Sequence, residues 1–194
     1  SKVLFKVKLK NALSGNTRIF VKKLEILGTT NNGTSKFYTK AEYKNQHWQY
    51  DAANIPATDF DVANIMNVAA VSGVGDYTKT AIEATTSAKS LFKDGEFLFL
   101  IPVNDSETPG VETGTTANGE IKVRLTYDAI TPDVNDPTNK YLVSETEALV
   151  DLPSGALKLG TAYTFNLALN PVQVTVDDAI TDWKDGTSGD TGDI

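Results

Sequence analysis

SKVLFKVKLK, residues 1–10, decides the reading of the fold. Val3, Phe5, Val7 and Leu9 alternate with Leu4, Lys6, Lys8 and Lys10, and a period of two marks a strand with one buried and one wet face. Residues 3–10 are therefore expected to form a strand. The same pattern returns at Ile121, Val123, Leu125 and Tyr127, and at Tyr163, Phe165, Leu167 and Leu169 within 162–169. Val172, Val174 and Val176 alternate likewise, and residues 141–150 read as one more strand.

RIFVKKLEIL, residues 18–27, is rich in β-branched and aliphatic residues, but its alternation breaks at Lys22-Lys23. A bulge or a change of exposed face produces such a break. Gly15-Asn16 and Asn31-Asn32-Gly33 supply flanking turns, and Ser35–Lys40 and His47–Tyr50 are shorter strand candidates. After Asp94-Gly95 the run EFLFLI is continuously apolar and ends at Pro102, so it is expected to be a strand buried on both faces. One helix is expected over 59–71. There Val62, Ile65, Met66 and Ala69 recur at three and four, and Thr58 with Asp61 resembles a capping box.

Seven or eight strands with one short helix predict an all-β, two-sheet antiparallel sandwich. Phe99, Leu100, Tyr163, Phe165, Leu167 and Trp183 are its expected inter-sheet core. The expected organisation is one domain over 1–185 and a flexible polar tail over 186–194, with a split near Lys93 as the alternative.

Composition narrows the function. At 40% hydrophobic and 22% charged residues, the chain is of ordinary globular type. Its longest purely apolar stretch, Phe97 to Ile101, falls far short of the roughly 20 residues of a spanning helix. No basic region followed by an apolar one opens the chain as an export signal. The lack of Cys excludes disulfides, thiolate metal sites and cysteine catalysis. A net charge of −7, with arginine only at 18 and 124, argues against a nucleic-acid partner, which needs clustered basic groups. That charge is uneven: residues 1–50 hold 10 basic and 2 acidic side chains, the rest 8 and 23. Either basic and acidic strands pair across a sheet, or the surface has two poles suited to head-to-tail assembly.

Histidine catalysis rests on His47 alone, and no nucleophile elbow, phosphate loop, dinucleotide fingerprint or zinc-protease motif occurs. The chain is read as non-enzymatic, with no catalytic, metal or cofactor residue assigned. Asp133–Asp136 and Asp185–Asp193 lack EF-hand spacing and are expected to be solvated loops. Tyr43, Trp48 and Tyr50 are a candidate sugar-stacking platform, though aromatic residues more often pack on a sheet face.

Several short motifs, in order, carry a family resemblance. SKV followed by LFKVKLKN, and then RIFVKKLEILG, resembles the opening of the carboxy-terminal region of fimbrillin-family proteins. LFLIPV (98–103) is similar to that family's apolar strand ending in Pro-Gln, with Val103 in place of Gln. Gly160 to Leu167 resembles its "GK-x-Y-x-Y-x-L" strand, and Thr181-Asp182-Trp183 its closing "V-x-D-W". The likeness spans about residues 1–185. It implies a transthyretin-like sandwich, export as a lipoprotein precursor, and assembly into fimbriae on the outer membrane at the cell surface.

Such subunits usually carry a preceding amino-terminal sandwich, which is expected to be absent or removed here, since the chain opens inside its first strand. They are thought to join by strand donation. The stretch after Trp183 lacks the alternating apolar residues of a donor strand, so an anchor, tip or accessory place is as much expected as a shaft place. The partners implied are other fimbrial subunits, by strand addition, and a host protein or glycan receptor. The other reading is a carbohydrate-binding surface lipoprotein domain built on Tyr43, Trp48 and Tyr50. Leu4, Lys6, Lys8 and Lys10 form the candidate subunit-contact strand if 3–10 lies at a sheet edge; the alternative is that this strand is central and paired on both sides.

Overall fold

The alternating apolar residues of the opening and closing stretches meet as neighbours. A computed structural model describes residues 1–44, 47–71, 80–101, 120–137, 140–153, 157, 160–170, 173–177, 180 and 181. The strands are β1 (Lys2–Leu9), β2 (Arg18–Ile26), β3 (Ala41–Lys44), β4 (His47–Tyr50), β5 (Phe60–Asp61), β6 (Ala69–Ala70) and β7 (Thr80–Ala84). They continue as β8 (Lys89–Ser90), β9 (Leu98–Phe99), β10 (Lys122–Pro132), β11 (Tyr141–Asp151), β12 (Ala162–Asn170), β13 (Gln173–Asp177) and β14 (Ile180–Thr181).

Two sheets form an all-β sandwich, as expected. The first runs β13-β12-β1-β8, with β14 also on β12 and β9 also on β1. The second runs β11-β10-β2-β7-β6, with β5 also on β2, and β3–β4 is a separate hairpin. Among the described residues all ladders are antiparallel except one: β1 runs parallel to β12, in register from Lys2↔Ala162 to Leu9↔Leu169. Parallel neighbours need a long crossover, and here the crossover contains the whole second sheet.

Period-two alternation sends Val3, Phe5, Val7 and Leu9, with Tyr163, Phe165, Leu167 and Leu169, into the space between the sheets. Ile19, Val21, Leu24, Ile26, Val123, Leu125 and Tyr127 meet them from the second sheet. Phe5 lies 5.5 Å from Phe165 and edge-on to Phe92 at 6.1 Å, geometries that aromatic quadrupoles favour. The break at Lys22-Lys23 is a bulge. Thr126 opposes Lys23 while Tyr127 opposes Val21, leaving Lys22 as the extra residue. Without it, Val21 and Leu24 could not both face the core.

Three expected elements are corrected, and with the second of them Phe99 as a core residue. Residues 59–71 form no α-helix but β5, a 3-10 turn at Ala63–Ile65 and β6. Long-range backbone bonds take the groups a helix would use: Val62 N–H donates to Leu24 O at 3.3 Å, and Asn67 N–H to Leu91 O at 2.9 Å. Val62 and Met66 are buried all the same, so the helical spacing records two plugs in the core. EFLFLI is not a fully buried strand. Only Leu98 and Phe99 pair with β1, and Phe99, opposite Lys2, is 70% exposed because alternation turns it to the outer face. Ser35–Lys40 is irregular, its backbone tied to Glu120 and Asn54. Leu100, Tyr163, Phe165 and Leu167 are core as expected, whereas Trp183 and the expected tail lie outside the described residues.

A polar clamp fastens the chain after β2 to the outer face of the second sheet. Arg124 on β10 donates to Glu25 at 3.0 Å and to Asp59, whose carboxylate also accepts from Gly28 N–H at 3.0 Å and Asn31 at 2.7 Å. Glu25 and Asp59 are nearly excluded from water. Gly28 makes this approach possible, since a Cβ there would sit 2.6 Å from Pro56 O and 2.7 Å from Ala57 O.

Leu167→Ala is expected to cost about 2–5 kcal/mol, and Phe99→Ala no more than about 0.5 kcal/mol, in urea denaturation; equal losses would show the inner face to be assigned wrongly. Arg124→Leu removes the cation beside buried Asp59 and leaves Glu25 to Lys23, and is expected to cost about 3–5 kcal/mol, most of it recovered when Glu25→Gln and Asp59→Asn are added. Gly28→Ala forces backbone against backbone and is expected to cost about 1–3 kcal/mol.

Candidate assembly surface

A strand can accept another chain only where its N–H and C=O groups are unpaired. On that ground strand 3–10, with Leu4, Lys6, Lys8 and Lys10, is not the edge considered from sequence. β12 pairs with β1 along its full length, and β8 and β9 cover the other side. Leu91 N–H donates to Phe5 O at 2.9 Å, Leu9 N–H to Thr85 O at 2.7 Å, and Leu100 N–H to Ser1 O at 2.9 Å. The physical reason is the packing: Val3, Phe5 and Val7 are wholly buried, which a strand in mid-sheet achieves. The wet face is retained, with Leu4, Lys6 and Lys8 half-buried and Lys10 exposed. Contact through that face stays open, while strand addition to β1 does not.

β11 is the outermost strand of the second sheet. The bonds from Leu27 N–H to Lys122 O and from Leu152 N–H to Ile121 O fix the phase of the ladder. Odd residues of β10 bond to β11, so the even residues of β11 bond inward. Val143, Glu145, Glu147 and Leu149 therefore direct their backbone groups away from β10. Leu142 is 72% exposed and Leu149 58%, with Val143 exposed as well. β13 of the other sheet runs alongside part of this strand. Sequence reading gave 141–150 as an ordinary strand, because the order of strands in a sheet leaves no local signal. The interleaved Glu145 and Glu147, a usual protection of an edge, were the available hint.

Part of the charge asymmetry is taken up in ion pairs between neighbouring strands. Arg18 on β2 meets Glu83 on β7 at 2.8 Å, Lys22 meets Asp128 on β10 at 2.8 Å, and Lys122 meets Asp151 on β11 at 3.4 Å. Lys23 pairs with Glu25 at 2.7 Å and Asp61 at 3.3 Å. The hydrogen bond from Arg18 holds the Glu83 carboxyl below its ordinary pKa, against the opposing effect of burial. Burial would lower the Lys22 pKa, but hydrogen bonds to Asp128 and Glu145 outweigh it and raise the value. In the first sheet Lys2, Lys6 and Lys8 of β1 lie beside the neutral Ala162, Asn166 and Ala168 of β12.

The candidate aromatic platform lies on the hairpin. Tyr43 is the register partner of Trp48, and Tyr50 that of Ala41, which sets positions 43, 48 and 50 on one face of the ribbon. Tyr43 is exposed, whereas Tyr50 is half-buried with its ring 5.0 Å from Tyr38. Asp133 of the acidic loop accepts from Asn135 N–H at 2.7 Å and Asp136 N–H at 3.1 Å, the geometry of a side-chain-closed turn. Asp185–Asp193 lies outside the described residues. No helix among the described residues is long and apolar enough to cross a membrane.

No protein-family model matches the chain. It is similar to the fimbrium subunit Fim1C of Phocaeicola vulgatus, 33% identical over 193 residues, which cover 95% of this chain and 48% of that protein. It also superimposes on the crystal structure of a fimbrial protein from Bacteroides vulgatus with a TM-score of 0.75 and 30% identity, covering 94% of this chain and 54% of that one. The chain thus spans about half the length of each. With the ordered strand motifs and the sandwich that they build, these likenesses support assignment of the chain to the fimbrillin family.

Proposed function

We propose that this chain is a structural, non-enzymatic module of a cell-surface fimbrial subunit, acting by assembly and adhesion. The observation that carries the reading is its likeness, across 95% of its length, to a protein named as a fimbrium subunit. The module is the sandwich of residues 1–185, with 186–194 as a polar tail. Its precursor is a lipoprotein, and its fimbria stands on the outer membrane, as the family resemblance implies. Its partners are other fimbrial subunits, with a host protein or glycan as the receptor of the assembled fimbria.

Strand addition takes place at β11, since a row of outward backbone groups flanked by exposed Val143 and Leu149 supports it. Main-chain bonds supply affinity there and alternate side chains supply selectivity. Antibodies raised to this chain should decorate fimbriae in electron micrographs of producing cells. Labelling along the shaft or at one end then fixes the position of the subunit, and a bare fimbria beside labelled cell bodies refutes the proposal. Val143→Lys with Leu149→Lys should leave the stability of the isolated chain within about 1 kcal/mol and reduce incorporation into fimbriae at least severalfold. Normal incorporation of this variant removes β11 as the joining edge.

A further inference from the structure

We propose that Lys22 and Asp128 condense to an intramolecular amide that joins β2 to β10, with Glu145 of β11 carrying the proton. Three adjacent strands of the second sheet bring these groups together on its outer face. Asp128 and Glu145 are register partners across β10 and β11. Lys22 is the extra residue of the β2 bulge, and its Nζ stands 2.8 Å from Asp128 Oδ1 while donating a hydrogen bond to the Glu145 carboxylate. The site is partly dry: the Asp128 side chain is 0% exposed and that of Lys22 15%, with Glu145 open to solvent. Phe20, the register partner of Asp128, and Ile130, two residues along the same face, are fully buried in a small apolar cluster with Ala81.

As an ammonium and a carboxylate the two groups attract but do not react. Its two carboxylate partners hold Lys22 as an ammonium, so the reaction passes through the minor tautomer with an amine on Lys22 and a carboxylic acid on Asp128, reached by proton transfer across the 2.8 Å contact. The amine nitrogen then attacks Asp128 Cγ. As the N–Cγ bond forms, Glu145 takes a proton from the nitrogen and returns it to the departing hydroxyl. One Cγ–O bond breaks, one amide forms and one water leaves, with no change of oxidation state. Holding the nucleophile against its carboxyl replaces an encounter in solution by an intramolecular step, which is worth many powers of ten in effective concentration. Lys23 makes a contrast. It also has carboxylate partners, Glu25 and Asp61, but its side chain is far more exposed, and water there protects the ion pair.

The mass of the intact purified chain tests this directly. It is expected to fall below the sequence mass by one water, about 18 Da, with a branched tryptic peptide joining the Lys22 and Asp128 segments. Lys22→Arg should restore the full mass, and Lys23→Arg should keep the deficit. Freshly produced Glu145→Gln should hold the uncondensed mass longer than the parent, and equal rates would remove Glu145 from the step. A parent protein at its full sequence mass overturns the proposal, and this reading needs no variant to fold. A deficit that persists in Lys22→Arg overturns it too, because cyclisation at Asp94-Gly95 or Asp185-Gly186 also expels water.

Discussion

Burial of one face of β1 is the constraint on which the other parts depend. Val3, Phe5, Val7 and Leu9 are apolar at every inward position, and their neighbours at 4, 6, 8 and 10 are mostly lysine, so only one orientation of the strand is open. A one-residue slip would place a row of ammonium groups between the sheets. Once the strand is oriented, its parallel partner β12 is held in register by the same alternation, Val3 beside Tyr163 through Leu9 beside Leu169. The second sheet supplies the opposite wall. Its own strand β2 keeps an inward face only because Lys22 is inserted where the pattern would otherwise turn over.

The legible parts of this fold were those where side-chain pattern and burial are the same thing. Strands 3–10, 121–127 and 162–169 stood out because each buries every second residue, and the break at Lys22-Lys23 stood out because a bulge is a fault in that rhythm. The segment 59–71 misled for the converse reason. Val62 and Met66 are four apart and both buried, which a helix explains from local spacing, whereas the actual cause is backbone bonding to Leu24 and Leu91. Phe99 misled because an unbroken apolar run hides which residues alternate outward. The edge at β11 was illegible for a deeper reason: which strand ends a sheet is decided by long-range pairing, and neither Val143 nor Leu149 carries a local mark of it. Charge was legible as an imbalance between the first 50 residues and the rest, but its partners, Glu83, Asp128 and Asp61, were visible only once strands had neighbours.

The outer faces of the two sheets differ in kind. That of the second sheet is woven with ion pairs and holds the clamp of Arg124, Glu25 and Asp59, so its charges are spent on fastening loops and strands to one another. That of the first carries the β1 lysines beside neutral residues of β12. The strand β10, paired along its length with β11 on one side and with β2 on the other, is the common support of both the clamp and the candidate joining edge.

The parallel ladder between β1 and β12 also governs the order in time of folding. Each of its rungs joins residues 160 apart in the chain, as Lys2 with Ala162 and Leu9 with Leu169 show. Loop closure on that scale is slow, and contacts so distant in sequence place the domain among late, slow-folding topologies. While the chain is being made, β1 waits without its partner until β12 emerges, and its apolar row stays exposed for that interval. The lysines on its other face keep such a waiting strand dispersed. Completion of the sandwich is therefore a checkpoint set by chain length, reached only when nearly all of these 194 residues are present.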